Sequence, residues 1–186
     1  MILKKIYLRF VYLYNYLYFK LSFKQFGWGT IIDKRLFIKQ KPSSISIGKH
    51  CKFKYGTRLE CVPNEGGLFG EIIIKDFVSV ETFLHIGAVD KVTIENNVLI
   101  ASKVFISDHD HLFDRSDIPI RYQGVKSKGP VKIKEGAWIG ENVCILSGVT
   151  IGKNSIIGAN SVVVNDVPDY CVYAGVPAKF IKKINK

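Results

Sequence analysis

An aliphatic residue recurs every six positions through the carboxyl-terminal part of this chain. A period of six matches neither the 3.6-residue repeat of a helix nor the two-residue alternation of a strand. It fits a short strand and a turn, repeated, with one aliphatic side chain per strand pointing toward a narrow axis. The chain is therefore predicted to be an all-β parallel solenoid, in which neighbouring coils cover one another. The unbroken series is Ile133, Ile139, Ile145, Ile151, Ile157 and Val163.

The same step of six appears earlier in the chain in three groups that are offset from one another. Those offsets predict loops inserted between regular coils. Glycine follows the aliphatic position in IGEN, IGKN and IGAN, at Gly140, Gly152 and Gly158. We expect a tight corner there that uses the freedom of glycine at positive φ. The earlier groups are Ile47, Phe53, Leu59, then Ile74, Val80, Ile86, then Ile94, Ile100, Ile106.

The first 28 residues differ from the repeat, with ten aromatic residues, five basic residues and no acid. Apolar residues at alternating spacings of four and three predict an amphipathic helix. Its longest uncharged run, residues 10–19, is too short for a membrane span, which needs about 20 residues. The helix either packs on the protein or a sister subunit, or lies on an anionic membrane through residues 1–26. The stripe is Leu3, Tyr7, Phe10, Tyr14, Leu17 and Leu21.

The net charge of +11 suits a nucleic acid, an anionic membrane surface or a phosphorylated small molecule. A nucleic acid has only this charge in its favour, since no recognition element is present, and none is expected as a partner. The four cysteines form no CxxC pair and no short-spaced framework. They predict reduced thiols in a cytoplasmic protein. Membrane contact through residues 1–26 would place that protein at the periphery of the inner membrane.

Three segments resemble one known family: NNVLIASKVFISDHDH at 96–111, GPVKIKEGAWIGENVCILSGVTIG at 129–152, and VPDYCVYAGVPAKFIKKI at 167–184. They are similar to the hexapeptide-repeat acyltransferases, in the branch of galactoside, maltose and polysaccharide O-acetyltransferases. The resemblance implies a left-handed β-helix with three six-residue faces per coil. It further implies acetyl-CoA as co-substrate, a sugar or polysaccharide acceptor, and a homotrimer.

Three regions follow from the repeat and the resemblance together. Residues 1–28 form the amino-terminal aromatic and basic helix, and residues 29–168 form the β-helix. With three hexads per coil, Ile94 to Ile106 make one coil and Ile133 to Ile145 the next, so residues 107–130 are a projecting loop. Residues 169–186 form a carboxyl-terminal segment at the CoA site, ending in a basic tail.

The projecting loop begins with SDHDH, and His109 aligns with the catalytic histidine of the resembling enzymes. Acetyl transfer to a hydroxyl needs a base poised near neutral pH, and histidine suits that task. Asp108, Asp110, Asp114 or a backbone carbonyl is expected to orient the ring. His111 and His85, in ETFLHIGA, are further candidates for contact with the acceptor.

The resemblance also implies a donor site for acetyl-CoA along stacked coils. Trp138, Glu141 and Ala159 match positions of that cleft, and Lys179 and Lys182 match its basic positions, where the related enzymes often carry arginine. A backbone amide near Gly140 or Glu141 is expected to stabilise the tetrahedral oxyanion. In the trimer, His109 of one chain is expected to serve a site with Trp138 of the next.

Two other classes of protein compete with this interpretation. His85, His109 and His111 are numerous enough for a zinc carbonic anhydrase on a β-helix, but two histidines beside three aspartates do not match that pattern, and no metal is expected. A non-catalytic β-helix scaffold explains the repeat and the basic helix. It gives no reason for DHDH at the start of the loop.

Overall fold

The computed structural model describes residues 2–33 and 36–185, without the side chains of residues 2–8 and Tyr12. Helix α1 spans Ile2–Lys20, which confirms the predicted amino-terminal helix. Two members of its predicted stripe, Leu3 and Tyr7, have side chains outside the described part. Within the described residues, α1 and the other helical segments fall short of the length and apolarity needed to cross a bilayer.

Short strands form three sheets that run side by side, and each coil contributes one strand to each sheet. The first sheet holds β1 Gln25–Phe26, β4 Ile45–Ile47, β7 Glu71–Ile74, β10 Lys91–Ile94, β15 Val131–Ile133 and β18 Thr150–Ile151. The second holds β2 Ile31–Ile32, β5 Lys52–Phe53, β8 Ser79–Val80, β11 Leu99–Ile100, β16 Trp138–Ile139, β19 Ile156–Ile157, β21 Cys171–Ala174 and β22 Lys179–Lys183. The third holds β3 Phe37–Gln40, β6 Arg58–Cys61, β9 His85–Ala88, β12 Phe105–Ser107, β17 Cys144–Ile145 and β20 Val162–Val163.

Parallel pairing in register stacks the hexad side chains of one coil directly on those of the next. The pairs between the fourth and fifth coils are Ile94 with Ile133, Ile100 with Ile139, and Ile106 with Ile145. All six side chains are fully buried. Burying an isoleucine contributes roughly 1.5–3 kcal/mol to stability, so the stacked column forms the core of the molecule. The predicted all-β parallel β-helix is confirmed.

The three repeat glycines have a role different from the one predicted. Gly140, Gly152 and Gly158 do not adopt positive φ, so that expectation is wrong. A Cβ on Gly140 would lie 2.7 Å from the backbone nitrogen of Ala159 in the next coil. These positions require glycine mainly because the coils approach closely there. Positive φ occurs two residues later in each repeat, at Asn142 (56°), Asn154 (51°) and Asn160 (58°).

Helix α1 covers the open edge of the first coil. Asn15 is buried, and its Oδ1 accepts the backbone N–H of Ile32 at 3.1 Å. Phe19 lies with its ring centre 5.5 Å from that of Phe23 and 5.3 Å from that of Phe26. An unpaired strand edge is a template for pairing with another chain, and a helix over the edge prevents it. The coil beginning at β1 precedes the groups recognised from the repeat.

The chain leaves the coils at the end of β12 and returns to the first sheet at β15. The intervening loop contains an antiparallel pair, β13 His109–His111 and β14 Val125–Ser127. A short 3-10 turn spans Ile120–Tyr122. At the carboxyl end, β21 pairs parallel to β19, and β22 folds back antiparallel to β21.

Candidate active site

His109 lies at the corner where the third sheet ends and the projecting loop begins. The residue before it, Asp108, is fully buried. Its Oδ1 accepts the backbone N–H of Val89 and its Oδ2 that of Asp90, each at 2.8 Å. These two backbone hydrogen bonds hold the buried carboxyl group in one orientation.

The hydrogen bonds of the His109 ring fix its tautomer. Nδ1 lies 3.0 Å from Asp108 Oδ1 and 3.3 Å from Ser107 Oγ. The Ser107 hydroxyl donates its proton to the His109 carbonyl at 2.7 Å, so both neighbours of Nδ1 act as acceptors. The proton of the neutral ring is therefore on Nδ1, and Nε2 carries a lone pair that can accept a proton. Of the candidates for orienting the ring, Asp108 has the side chain that lies against Nδ1, and its orienting role stays a prediction.

The backbone beneath the ring has no side chain. A Cβ on Gly87, in β9, would lie 3.1 Å from His109 Cε1. Since that distance is tighter than ordinary van der Waals contact, a larger residue at this position would displace the imidazole. Only 16% of the His109 side chain is exposed. The ring is thus held from below by the coil and from the side by Asp108.

Ser147 ties both ends of the projecting loop to the fifth coil, a role that the sequence did not reveal. Its Oγ donates to the Asp108 carbonyl at 2.5 Å and accepts the backbone N–H of Lys128 at 2.8 Å. The loop thus leaves and rejoins the solenoid beside one hydroxyl. This contact stabilises the backbone on which His109 is mounted.

His111 and His85 have different surroundings from His109. His111 lies in β13, where its side chain is exposed. The ring of His85 has Nε2 2.9 Å from Glu60 Oε2 and lies 5.1 Å from the Phe105 ring centre. Its contact is thus with Glu60, and a role for either histidine in binding the acceptor stays a prediction.

Glu60 and Arg58, which the sequence did not single out, complete a polar cluster beside His109. Glu60 pairs in register with Gly87, so it lies next to the position beneath the His109 ring. Its Oε1 lies 2.6 Å from Arg58 Nη2 and 3.5 Å from Lys39 Nζ. Arg58 Nε is buried with no hydrogen-bond partner among the described residues.

The cluster shifts the pKa of two of its members. Burial lowers the pKa of His85 and outweighs its hydrogen bond to Glu60, so the ring is neutral at pH 7. Burial opposes ionisation of Glu60, but hydrogen bonds from Arg58 and His85 lower its pKa overall. The cluster therefore offers carboxylate acceptors and guanidinium donors, the groups that bind sugar hydroxyls.

Three of the residues predicted to bind the donor lie on the second sheet or at its corner with the third. Trp138 begins β16, between Leu99 and Ile156, and is 47% exposed. Glu141 lies in the turn after β16, and its carbonyl accepts the N–H of Asn160 at 2.8 Å. Ala159 lies in the same turn one coil further on and is exposed. These residues present one surface of adjacent coils.

The two predicted phosphate ligands lie on the last strand. Lys179 begins β22 and Lys182 lies near its end, both with exposed side chains. Because β22 pairs with β21, which joins β19, both lysines extend the second sheet. The chain thus assembles its donor candidates in one region, whereas His109 lies at the opposite edge of the third sheet.

The backbone N–H of Gly140 cannot stabilise an oxyanion as predicted, because it donates to the Ile157 carbonyl at 2.9 Å. The Glu141 amide stays a prediction. Within residues 2–33 and 36–185, no group of three or more His, Cys, Asp or Glu side chains is placed to hold a metal ion.

Comparisons with known proteins identify the same hexapeptide repeat that the fold shows. Residues 130–165 match the bacterial transferase hexapeptide family, described as six repeats. The Escherichia coli K12 protein WbbJ, assigned to lipopolysaccharide biosynthesis as an O-acetyl transferase, is 42% identical over 76% of this chain and 73% of WbbJ. The galactoside O-acetyltransferase of the same organism is 37% identical over 72% of this chain, which spans only 58% of that enzyme.

A solved structure extends the likeness to almost the whole fold. AntD, an N-acyltransferase from Bacillus cereus in complex with dTDP and 3-hydroxybutyryl-CoA, has a TM-score of 0.75 over 89% of this chain and 86% of AntD. Its identity of 24% supports the fold alone. Fold and repeat together define a β-helical hexapeptide-repeat transferase. The extent of the match to WbbJ goes further: this chain belongs to the hexapeptide-repeat acetyltransferases, as the sequence predicted.

Proposed function

We propose that this protein is an acetyl-CoA-dependent O-acetyltransferase that acetylates a sugar hydroxyl of a surface polysaccharide or its precursor, with His109 as general base. The observation that carries the proposal is the Asp108–His109 pair. It holds one imidazole at the edge of a rigid coil with Nε2 free to accept a proton. The relatives assigned to lipopolysaccharide biosynthesis and to galactoside acetylation support an oxygen acceptor on a sugar.

The chemistry requires one proton to move twice. His109 Nε2 removes the proton of the acceptor hydroxyl while the hydroxyl oxygen attacks the thioester carbonyl of acetyl-CoA. Buried Asp108 stabilises the imidazolium that forms. When the tetrahedral intermediate collapses, the carbon–sulfur bond breaks and the imidazolium returns its proton to the departing thiolate. The products are the acetyl ester and free CoA.

The acceptor is proposed to lie over the third sheet beside His109. Glu60, with its lowered pKa, offers oxygens that accept hydrogen bonds from sugar hydroxyls, and the guanidinium of Arg58 lies beside it. The neutral ring of His85 lies against Glu60. His111 lies two residues beyond His109 in β13, and because side chains alternate along a strand, both point to the same face of the loop.

The donor is proposed to bind along Trp138, Glu141 and Ala159, with Lys179 and Lys182 on its phosphates. These residues and His109 lie at opposite edges of the third sheet within one chain. A homotrimer in which His109 of one chain faces the donor residues of its neighbour brings them together. The four free thiols support a cytoplasmic location for this assembly.

A thiol-release assay with acetyl-CoA and a panel of sugars and lipid-linked oligosaccharides tests the proposal. His109→Ala should lower kcat by roughly 10²–10⁴-fold, the usual contribution of a general base. The matched variant His111→Ala should mainly raise the KM for the acceptor. Calorimetric binding of CoA should be unchanged in both variants, and sedimentation should give three times the 21.0 kDa chain mass.

Full turnover in His109→Ala together with loss of turnover in His111→Ala would transfer the role of base to residue 111. A parent protein that binds no acetyl-CoA would refute the transferase and leave the non-catalytic scaffold. A monomeric mass with full activity would refute the shared site.

A further inference from the structure

Positive charge is concentrated at one end of the molecule. Residues 1–59 hold 13 of the 27 lysines and arginines but only one of the 16 acidic residues, Asp33. The remaining 127 residues hold 14 basic and 15 acidic residues. Three glutamates that follow, Glu60, Glu71 and Glu81, form ion pairs with this end. Counting them still leaves 13 basic groups against four acids. Helix α1 and the first two coils therefore carry most of the net charge.

The same end exposes a continuous apolar face. Six large side chains on α1, or directly after it, remain accessible to solvent. At 3.6 residues per turn they fall within about 140° of the helix circumference. A patch of this kind on a monomer marks an interaction site. The side chains and their exposed fractions are Phe10 67%, Leu13 43%, Tyr14 66%, Leu17 56%, Tyr18 60% and Leu21 92%.

The opposite face of α1 fixes the direction in which this patch points. Asn15 and Phe19 face the first coil, and Asn15 closes the strand edge at Ile32. Phe10, Tyr14 and Tyr18 border a groove of about 1050 Å³ between α1 and the first two coils. Leu13, Leu17 and Leu21 lie on the side of α1 that faces away from this groove, at the end of the solenoid. By the helical repeat, exposed Arg9 and Lys20 flank the patch on one side.

We propose that α1 docks the protein, end-on, onto a membrane surface rich in anionic lipid. Aromatic rings favour the headgroup level, leucine side chains reach the acyl boundary, and basic side chains bind lipid phosphates. A second copy of the chain is a poorer occupant. Stacked end to end on this face, it would press two strongly basic ends against each other, and such like charges repel.

End-on docking sets the height of the active site above the membrane. His109 follows the fourth coil, three steps above the coil that α1 covers. Adjacent strands lie about 4.8 Å apart, so the site stands roughly 14 Å above the first coil. This position suits a saccharide that extends from a lipid anchor. That consequence rests on the proposed function, whereas the docking itself does not.

Flotation of the full chain with vesicles tests the docking. The parent should float with phosphatidylcholine vesicles that contain phosphatidylglycerol and stay behind with pure phosphatidylcholine. High salt should weaken binding, because it screens charge. The combined substitution of Phe10→Ser, Tyr14→Ser and Leu17→Ser, and separately Arg9→Glu with Lys20→Glu, should each lower the bound fraction at least about tenfold.

Matched controls lie in the projecting loop, where side chains are equally exposed. The apolar control combines Phe113→Ser, Ile120→Ser and Tyr122→Ser, and the charge control combines Arg121→Glu with Lys126→Glu. Both controls should bind vesicles as the parent does. Equal loss in a control, or a parent that binds no anionic vesicle, would overturn the proposal.

Sedimentation without lipid tests the alternative that a second copy of the chain covers the exposed face of α1. If the α1 variants reduce the mass of the assembly while the parent ignores vesicles, a second copy covers this face and the proposal is wrong. Turnover of a water-soluble acceptor without vesicles should be the same in parent and α1 variants. Vesicle binding without any turnover would leave the docking standing and refute the proposed function.

Discussion

The third sheet is bounded by two corners that the chain builds in different ways. Where it enters from the second sheet, Gly140 packs so closely on the next coil that a Cβ would lie 2.7 Å from two backbone atoms. Where it leaves, the repeat stops at Asp108, and a side-chain carboxylate replaces backbone as the acceptor for the Val89 and Asp90 N–H groups. The first corner is formed by closely packed backbone, whereas the second is formed by the hydrogen bonds of a buried side chain.

What distinguishes the second corner is burial, because carboxylates occur at other corners as well. Glu95 Oε2 accepts the backbone N–H of Glu135, but this side chain is 20% exposed and pairs with lysines. Where the chain departs for residues 107–130, the Asp108 side chain is fully buried and contacts an imidazole that lies over Gly87. The start of the insertion thus holds a buried carboxyl group beside an imidazole.

The largest effect is expected from Asp108→Asn, which alters the second corner alone. The amide cannot accept both backbone N–H bonds and the His109 Nδ1–H, so ring and tautomer are no longer held. We expect kcat to fall by roughly 10²–10⁴-fold, and the free energy of unfolding by about 1–3 kcal/mol. Thiol release and denaturant unfolding measure the two effects.

Asp110→Asn is the control for this change, since Asp110 is exposed one residue beyond the ring. It should leave both quantities near those of the parent. A kcat in Asp108→Asn equal to that of Asp110→Asn would remove Asp108 from the mechanism.

A smaller effect is expected from Gly140→Ala at the first corner. The added Cβ would meet backbone atoms Ala159 N and Ile157 O at 2.7 Å, which no side-chain rotation can relieve. We expect a loss of about 1–3 kcal/mol in the free energy of unfolding. Gly66→Ala, whose nearest neighbour is Asn64 Oδ1 at 3.3 Å, should change it by less than about 0.5 kcal/mol. Equal losses would contradict the close-packed corner.

The smallest effect concerns the sheet between the two corners. Glu60→Gln keeps the shape of the side chain but removes the charge that we propose to bind sugar hydroxyls, so the acceptor KM should rise about tenfold. The KM for acetyl-CoA should not change, nor should kcat by more than about twofold. Glu95→Gln changes a carboxylate that is also ion-paired but lies after β10, away from the third sheet, and is the control. A change in kcat without a change in acceptor KM would make Glu60 structural.

The fold was predictable because the repeat is local and self-similar. Six aliphatic residues from Ile133 to Val163 follow one another at steps of six, and each stacks on its counterpart in the neighbouring coil. The first coil keeps the same step of six at Phe26, Ile32 and Ile38, but a helix that carries Asn15 closes its edge in place of a further coil. The role of Gly140 was misjudged because the sequence reports a small residue but does not report which backbone passes beside it.

The site was predictable only in part. His109 stands out because an ionisable run interrupts a regular pattern, but its tautomer depends on Ser107 and Asp108 in three dimensions. Glu60 and Ser147 carried no signal, since nothing along the chain places residues 60 and 147 beside residue 109. Register between coils brings them there.

By itself the sequence determined the period, the axis and the place where the chain leaves it, because those follow from hydrophobic spacing along a few residues. The tertiary structure alone decided which face of α1 is covered, which atom of His109 keeps its lone pair, and which carboxylate lies beside it. Those outcomes depend on contacts between residues distant in the chain, and such contacts exist only once the coils have stacked.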